Sequence, residues 1–444
     1  MTIRIGDGQG FYGDGVAPVA DVLESGVDYL VCEALAELTL AILQKDRQRD
    51  ESLGFTRDLP QYVRTAIPYL ADGRTKMITN AGGINPVAAG RAVVATLKAA
   101  GISGLTVATV VGDDVRAHAA TLGLPDDTLF ANVYLGAKPI ADALDQGADI
   151  VVTGRVADAS LFVAPMVHHY GWKWNDWDRL AAGVAIGHLL ECSGQVAGGN
   201  YSGPWWTNPD AQRIGFPIGE VDDDGSAVIT KSANAGGMIT FDTVREQLLY
   251  EVQDPRRYLN PDATADFTSL TLDDLGNDRV RVSGVKGAPA PETYKGLVCR
   301  PAGWLGESTF TYSWPDAEAK ARAAVRWLKQ RAIANGVPIE EWCEEYFGAG
   351  VFHGPAAAAD LADAAAAGFE PPEVMGRLAW RTNDEAAAGK VAPGSGVLGL
   401  SGPPMIAGFG RSRGGKPTQL LSLDSIAVPR PLVDDQVRIE LTTV

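Results

Sequence analysis

Disulfide frameworks, metal-binding pairs, membrane spans and basic blocks are all missing from this sequence, and each absence removes a class of protein. The four cysteines, Cys32, Cys192, Cys299 and Cys343, lie far apart with no C-x-x-C pair. Free thiols in a reducing cytosol are therefore expected, rather than a disulfide scaffold. Five histidines, of which only His168 and His169 are adjacent, supply too few ligands for a dedicated zinc or iron site, and no metal is expected. No apolar run reaches membrane-spanning length and no charged-then-apolar leader is visible, so a cytoplasmic protein without a membrane partner is expected. Against 55 acidic residues stand only 38 basic ones, for a net charge of −17. That balance repels nucleic acid and anionic membranes, and no nucleic-acid partner is expected.

What is present points to a large α/β protein. With 444 residues and 46% apolar content, the chain can bury a sizeable core and is expected to form two domains. Over residues 1–252, apolar runs ("TIRIG", "VDYLVCE", "KMITN", "LTVATVVGDD", "ADIVVTGR") alternate with helical stretches such as "NPVAAGRAVVATLKAAG". In that stretch Asn85 can cap a helix, Pro86 sits in its first turn and Gly101 ends it. Unbroken apolar runs read as strands covered on both faces, so an open, mostly parallel sheet with helices on both sides is predicted. From Gln253 the texture changes to short strands, one long helix ("DAEAKARAAVRWLKQRAIANG") and a Gly/Pro-rich stretch near 392–416. Residues 253–444 are read as a smaller α+β domain, and the long Gly/Pro-rich loop as a functional or docking segment.

The loops that follow the predicted strands hold the chemistry-bearing residues. Gly8, Gly10 and Gly13 spell a G-x-G-x-x-G fingerprint after an apolar run (Met1 to Ile5), with Glu33 20 residues beyond Gly13, where a dinucleotide fold puts its ribose acid. Asp7 and Asp14 flank these glycines and repel a phosphate, so no nicotinamide cofactor is expected. Gly8, Gly10 and Phe11 are read instead as part of a ligand loop. In "MITNAGGINP", Asn80 offers a neutral donor and acceptor, with Gly82 and Gly83 in a tight turn. Arg155 and Asp158 sit just beyond a buried strand, where an arginine can hold a carboxylate or phosphate in two bonds, or pair with Asp158 or Asp114. Asp113, in the preceding strand-end loop, is grouped with them. The stretch "GHLLECSGQVAGGNYSG" places Glu191 and Cys192 at a helix end, followed by Asn200 and Tyr201. A carboxylate there can serve as acid or base, while a helix C-terminus disfavours a thiolate. Lys231 is the candidate cation for the same edge.

Taken together, "RIGDGQGFYGD", "VDYLVCEALAELT", "TNAGGINP", "VVTGRVADASL", "GHLLECSGQVAGGN", "GFPIGEV", "EQLLYEVQDPRRYLNPDATADFT" and "GPPMIAGFG" resemble the acyclic terpene utilisation (AtuA-type) family, in order from Arg4 to about Val433. The resemblance implies a cytosolic bacterial protein that works where terpenoid or branched acids are degraded through CoA thioesters. It implies no defined reaction. Relatives usually have a non-acidic residue where Asp7 stands, and many carry an extra small C-terminal domain. A homo-oligomer, or a complex with a separately encoded small subunit, is therefore expected.

The combined reading is a lyase or hydratase that adds or removes water on a branched acyl or acyl-CoA substrate. Glu191, Arg155, Asp158 and Cys192 are the catalytic candidates, and Gly8, Gly10, Phe11, Asn80, Gly82, Gly83, Asp113, Asn200, Tyr201 and Lys231 the substrate-binding ones. A non-catalytic scaffold and an NAD(P)-dependent oxidoreductase are the alternatives. On the enzyme reading, Arg155→Ala and Glu191→Gln lose activity at a near-normal melting temperature.

Overall fold

Three features of the sequence decide the architecture: two-sided apolar strands, helices of opposite facing, and a late run of antiparallel strands. A computed structural model describes residues 2–391, 396–410 and 416–444. The Gly/Pro-rich stretch singled out near 392–416 thus lies partly outside the described residues. The chain forms two compact units, Met1–Cys299 with Leu423–Val444, and Arg300–Ser422.

The first unit is built on β1 (Ile3–Gln9), β2 (Tyr29–Cys32), β3 (Lys76–Thr79), β4 (Thr106–Val111), β5 (Phe130–Val133), β6 (Ile150–Thr153), β7 (Pro217–Val221) and β8 (Ala227–Lys231). The strands β9 (Tyr258–Leu259), β10 (Thr264–Asp266), β11 (Thr271–Asp274), β12 (Val280–Ser283) and β13 (Lys286–Ala288) follow. Ten strands make one sheet, in the order β11-β12-β8-β7-β1-β2-β3-β6-β4 and then β19 (Arg438–Thr443), the last strand of the chain. Its centre, β1-β2-β3-β6-β4, is parallel, and both flanks are antiparallel.

Strand order explains which face each helix covers. From β1 to β4 the chain advances in one direction across the sheet, and a right-handed crossover keeps the intervening helices on one face. Helices Ala17–Glu24, Leu59–Ala71 and Pro86–Ala99 accordingly share a core with Leu30, Cys32, Met77, Val107 and Val152. From β4 to β6 the direction reverses. Helices Lys138–Asp145, Ser160–Tyr170 and Trp177–Leu190 then pack against Tyr29, Val31, Ile78, Ala108 and Val151 on the other face. Successive residues of each central strand face opposite cores, so these strands read as unbroken apolar runs.

The compact units do not divide at 252/253. β11 and β12 extend the ten-stranded sheet through β8, and β9, β10 and β13 form a small sheet in the same unit. The change of texture at Gln253 therefore marks the passage from parallel to antiparallel strands within the first unit. The two strands read in "TYKGLVCR" and "STFTYSW" are one, β14 (Thr293–Ser313). It pairs with β5 over Gly296–Cys299 in the first unit. In the second unit it continues as a central strand between β16 (Glu373–Thr382) and β17 (Ile406–Gly410), with β15 (Glu341–Phe347) outside β16. Strand β18 (Thr418–Pro429) also pairs with β14. Helix Ala317–Ala334 buries Ala321, Ala324, Val325 and Leu328 against Phe310, Tyr312, Leu378 and Trp380.

Candidate functional site

At the carboxyl edge of the parallel strands, where ligands of open α/β sheets bind, the first unit holds a cavity of about 530 Å³. Its wall is contributed by Gly10 and Phe11 after β1, Glu33 to Glu37 after β2, Asp158 after β6, and Glu191 to Gln195 beyond helix Trp177–Leu190. Asn200, Ile214, Phe216, Tyr250 and Glu251 complete it. Carboxylates and apolar or aromatic side chains thus share one lining.

The opening fingerprint belongs to this wall without being a phosphate loop. Strand β1 runs on to Gln9, so Gly8 lies inside the sheet rather than in a turn. A Cβ at Gly8 would stand 2.8 Å from Cys32 Sγ, and one at Gly10 would stand 2.6 Å from the Ser193 backbone nitrogen. Close approach requires these glycines. The backbone donors are also engaged: Gly10 N and Gly15 N donate to the Asp14 carboxylate (3.1 and 2.7 Å), and Gly13 N donates to Asp58 (3.0 Å). Two of the protein's own carboxylates occupy the place a pyrophosphate would need. Asp14 does not cap the next helix, whose cap position is Val16.

Glu33, read from the spacing as a ribose acid, faces the cavity instead. It is 5% exposed, and its Oε1 accepts from Asn80 Nδ2 (2.8 Å) and Leu35 N (2.6 Å). Burial and the neighbouring Asp158 charge push its carboxyl well up, against the pull of Arg155 and these hydrogen bonds. Asp158 is raised as well, by burial and Glu191, although Arg155 beside it draws it down. Asp7, at the buried end of β1, is raised by burial and then by Asp14, Glu33 and Glu191. Burial and mutual repulsion thus raise all three carboxyls together.

Glu191 caps the C-terminus of helix Trp177–Leu190, and its Oε1 lies 2.9 Å from His188 Nδ1. Burial depresses the His188 imidazole, but the Glu191 hydrogen bond and charge outweigh it and leave its pKa raised. Glu191 Oε2 and His188 Nε2 are buried without a hydrogen-bond partner among the described residues. Burial and the Glu191 charge push the Cys192 thiol up, which disfavours a thiolate there.

Arg155 is only 1% exposed and does not line the cavity. Its Nε and Nη2 donate to Val156 O (3.0 and 2.6 Å), its Nη1 donates to Leu35 O (2.5 Å), and Nη2 also pairs with Asp158. The guanidinium lies 4.3 Å from the Tyr134 ring centroid. The fork expected to grip substrate is thus turned onto the β2 and β6 loops. It positions Asp158 and Leu35, and is a positioning residue. Asp158 pairs with it rather than capping the following helix, whose cap residue, Ala159, makes no side-chain cap bond.

The other candidates divide in the same way. Asn80 is fully buried, accepting from Ala34 N (2.7 Å) and orienting Glu33. Asp113 is 3% exposed and accepts from Arg155 N and Asn132 Nδ2 (2.8 Å each), so it braces the β6 loop from behind; burial raises it to about 6 despite these bonds. Gly82 and Gly83 pack against Thr153 O and Leu43 and do not reach the cavity. Lys231 is turned away, bonded to Ala235 O (3.0 Å) and paired with Asp278 (3.1 Å). Asn200 lines the cavity, whereas Tyr201 lines a smaller neighbouring one of about 310 Å³.

One wall residue, Glu37, and one residue behind the wall, His188, escaped the sequence reading. Glu37 accepts from Tyr134 OH (2.6 Å) and Lys295 Nζ (2.8 Å), and these bonds overcome burial to hold it at about 2. His188 sits in an apolar helix and reads as core; its spacing of three from Glu191 was the available signal. Among the described residues no group of three or more His, Cys, Asp or Glu is arranged to hold a metal ion, and no helix is long and apolar enough to cross a membrane.

Comparison with known families finds that the model for acyclic terpene utilisation family protein AtuA matches residues 3–439, nearly the whole chain. No curated protein matches.

Proposed function

Because the chain belongs to the acyclic terpene utilisation family AtuA, we propose that it adds water to, or removes it from, a branched unsaturated acyl substrate in the acidic cavity of the first unit. The observation that carries this reading is one cavity whose partly apolar wall gathers three carboxyls, Glu33, Asp158 and Glu191, the first two raised by burial. Hydration needs an acid that gives a proton to one alkene carbon and a base that takes one from the water attacking the other. Asp158 is the acid and Glu191, steadied by His188, is the base. In the reverse direction Asp158 takes up the proton lost from carbon while Glu191, protonated, releases water. Phe11, Leu35, Ile214, Phe216 and Tyr250 suit a branched hydrocarbon chain.

The test is incubation of purified protein in 18O-labelled water with β-methyl-branched 2-enoic acids and their thioesters, read by mass spectrometry. Label is expected in the hydroxylated product, and Asp158→Asn or Glu191→Gln should lower the rate on the order of a hundredfold or more. No incorporation with any of these substrates, or retained rates in both variants, overturns the reading. One observation favours a second role as a binding subunit: Trp205 and Trp206, edge to face and 63% and 70% exposed, offer an aromatic patch of the kind interfaces use.

A further inference from the structure

A second cavity of about 770 Å³ in the first unit has the opposite electrostatic character from the acidic one. Among its wall residues are Gln44, Arg47, Gln48, Arg91 and Arg116, against a single acid, Glu51. A concentration of arginine is unexpected in a chain of net charge −17, and two of these arginines are not neutralised. Arg47 donates to Ile84 O (2.9 Å) and makes no ion pair among the described residues. Arg91, exposed on helix Pro86–Ala99, makes neither a hydrogen bond nor an ion pair among the described residues. Arg116 is held by Asp114 through Nε and Nη2 (3.0 and 2.6 Å). Gln44 is the second, independent observation. It is only 8% exposed, yet its amide has no partner among the described residues and belongs to the cavity wall. The amide opens onto the cavity and is free to bond a ligand there.

We propose that this basic cavity binds the pyrophosphate of a ligand whose other end reaches the acidic cavity. Helix Glu37–Arg49 starts at the acidic cavity with Glu37 and carries Gln44, Arg47 and Gln48 at the basic one. From Glu37 to Gln48 the helix rises roughly 17 Å. Strand β5 gives the same measure independently. Tyr134 bonds Glu37 at one end and Leu129 accepts from Arg116 Nη1 (3.2 Å) at the other. The five residue steps from Leu129 to Tyr134, with β5 between them, span roughly 17 Å when extended. A pantetheine arm bridges such a distance between a thioester and its pyrophosphate, and so does an isoprenyl chain between its tail and a diphosphate ester. The shared chemistry is a pyrophosphate, read by two arginines that bind phosphate oxygens in pairs of hydrogen bonds. Treating the acidic cavity as the reacting end rests on the function proposed above. The anion site itself is tested without turnover.

The experiment is calorimetric titration of the full chain with coenzyme A, ADP, geranyl diphosphate and inorganic pyrophosphate. It uses wild type, Arg47→Ala/Arg91→Ala, Gln44→Leu, Asp158→Asn, and Arg64→Ala as an exposed-arginine control. Saturable binding is expected, weakened on the order of a hundredfold in the double variant and about tenfold in Gln44→Leu. It should be unchanged in Arg64→Ala and kept in Asp158→Asn. Tightest binding by coenzyme A identifies a thioester carrier as the source, and tightest binding by geranyl diphosphate identifies a diphosphate ester. Absence of saturable binding by all four, or equal weakening in Arg64→Ala, overturns the proposal. Failure of the hydration assay with binding intact would instead remove only the reaction assigned to the acidic cavity.

Discussion

Replacing Arg155 by methionine should unfold the protein at a markedly lower temperature, contrary to the near-normal melting expected from the sequence. Methionine keeps much of the bulk while removing every donor. Val156 O loses two hydrogen bonds and Leu35 O one, all in a site where Arg155 is 1% exposed. Each buried carbonyl left unpaired costs about 1–3 kcal/mol. The ion pair contributes less, because Asp158 can neutralise by taking up a proton. A net loss of about 3–5 kcal/mol follows. For a protein of this size that corresponds to a fall in melting temperature of roughly 10 °C. Thermal unfolding followed by circular dichroism at one fixed pH measures it, with Glu191→Gln alongside as a wall residue whose loss should move the midpoint far less. If Arg155→Met melts within about 2 °C of wild type, the argument from its buried donors fails.

Three further outcomes follow from the geometry. Gly10→Ala should lower the melting temperature by displacing the Cys192–Ser193 backbone, which a Cβ would meet at 2.6–2.8 Å, and an unchanged midpoint would contradict this. Titration of wild type with NAD or NADP should give no saturable heat, because Asp14 and Asp58 already take the loop donors, and micromolar binding that the variant abolishes would contradict that. The raised carboxyls also set a pH dependence: Asp113 and Asp262, both raised to about 6 by burial against their hydrogen bonds, together with Asp158 and Glu33, bind more protons in the folded than in the unfolded state. Stability should therefore fall as pH rises from about 4 through 6 and beyond, so melting temperatures measured at successive pH values should decrease over that range, and a rise would refute the assignment.

The parallel half was legible because its strands are buried on both faces and its helices carry ordinary caps. Asn85, for example, accepts from Ala88 N at the start of helix Pro86–Ala99. Legibility failed where a tertiary neighbour decides the outcome. The apolar run Met1 to Ile5 stops short of the first strand, which reaches Gln9 because Gly6 and Gly8 let β1 pass close to Val22, Leu30 and Cys32. Glu33 and Asp158 could be located at strand ends from sequence alone. Their raised protonation depends on each other and on Glu191, from segments far apart in the chain. The direction of the Arg155 fork was invisible for a similar reason, since its acceptor Leu35 lies 120 positions away.

Strand β19 closes the edge of the ten-stranded sheet by pairing with β4, joining residues as far apart in sequence as Thr106 and Thr443. On the ribosome, β4 is made early and β19 only after the whole of Arg300–Ser422. Throughout that interval the nascent first unit carries β4 with one side unpaired, an apolar strand able to recruit a strand from another chain. Contacts across so long a separation also form slowly. Synthesis of this protein thus carries a built-in waiting period, during which an unpaired strand edge is open to association with other chains.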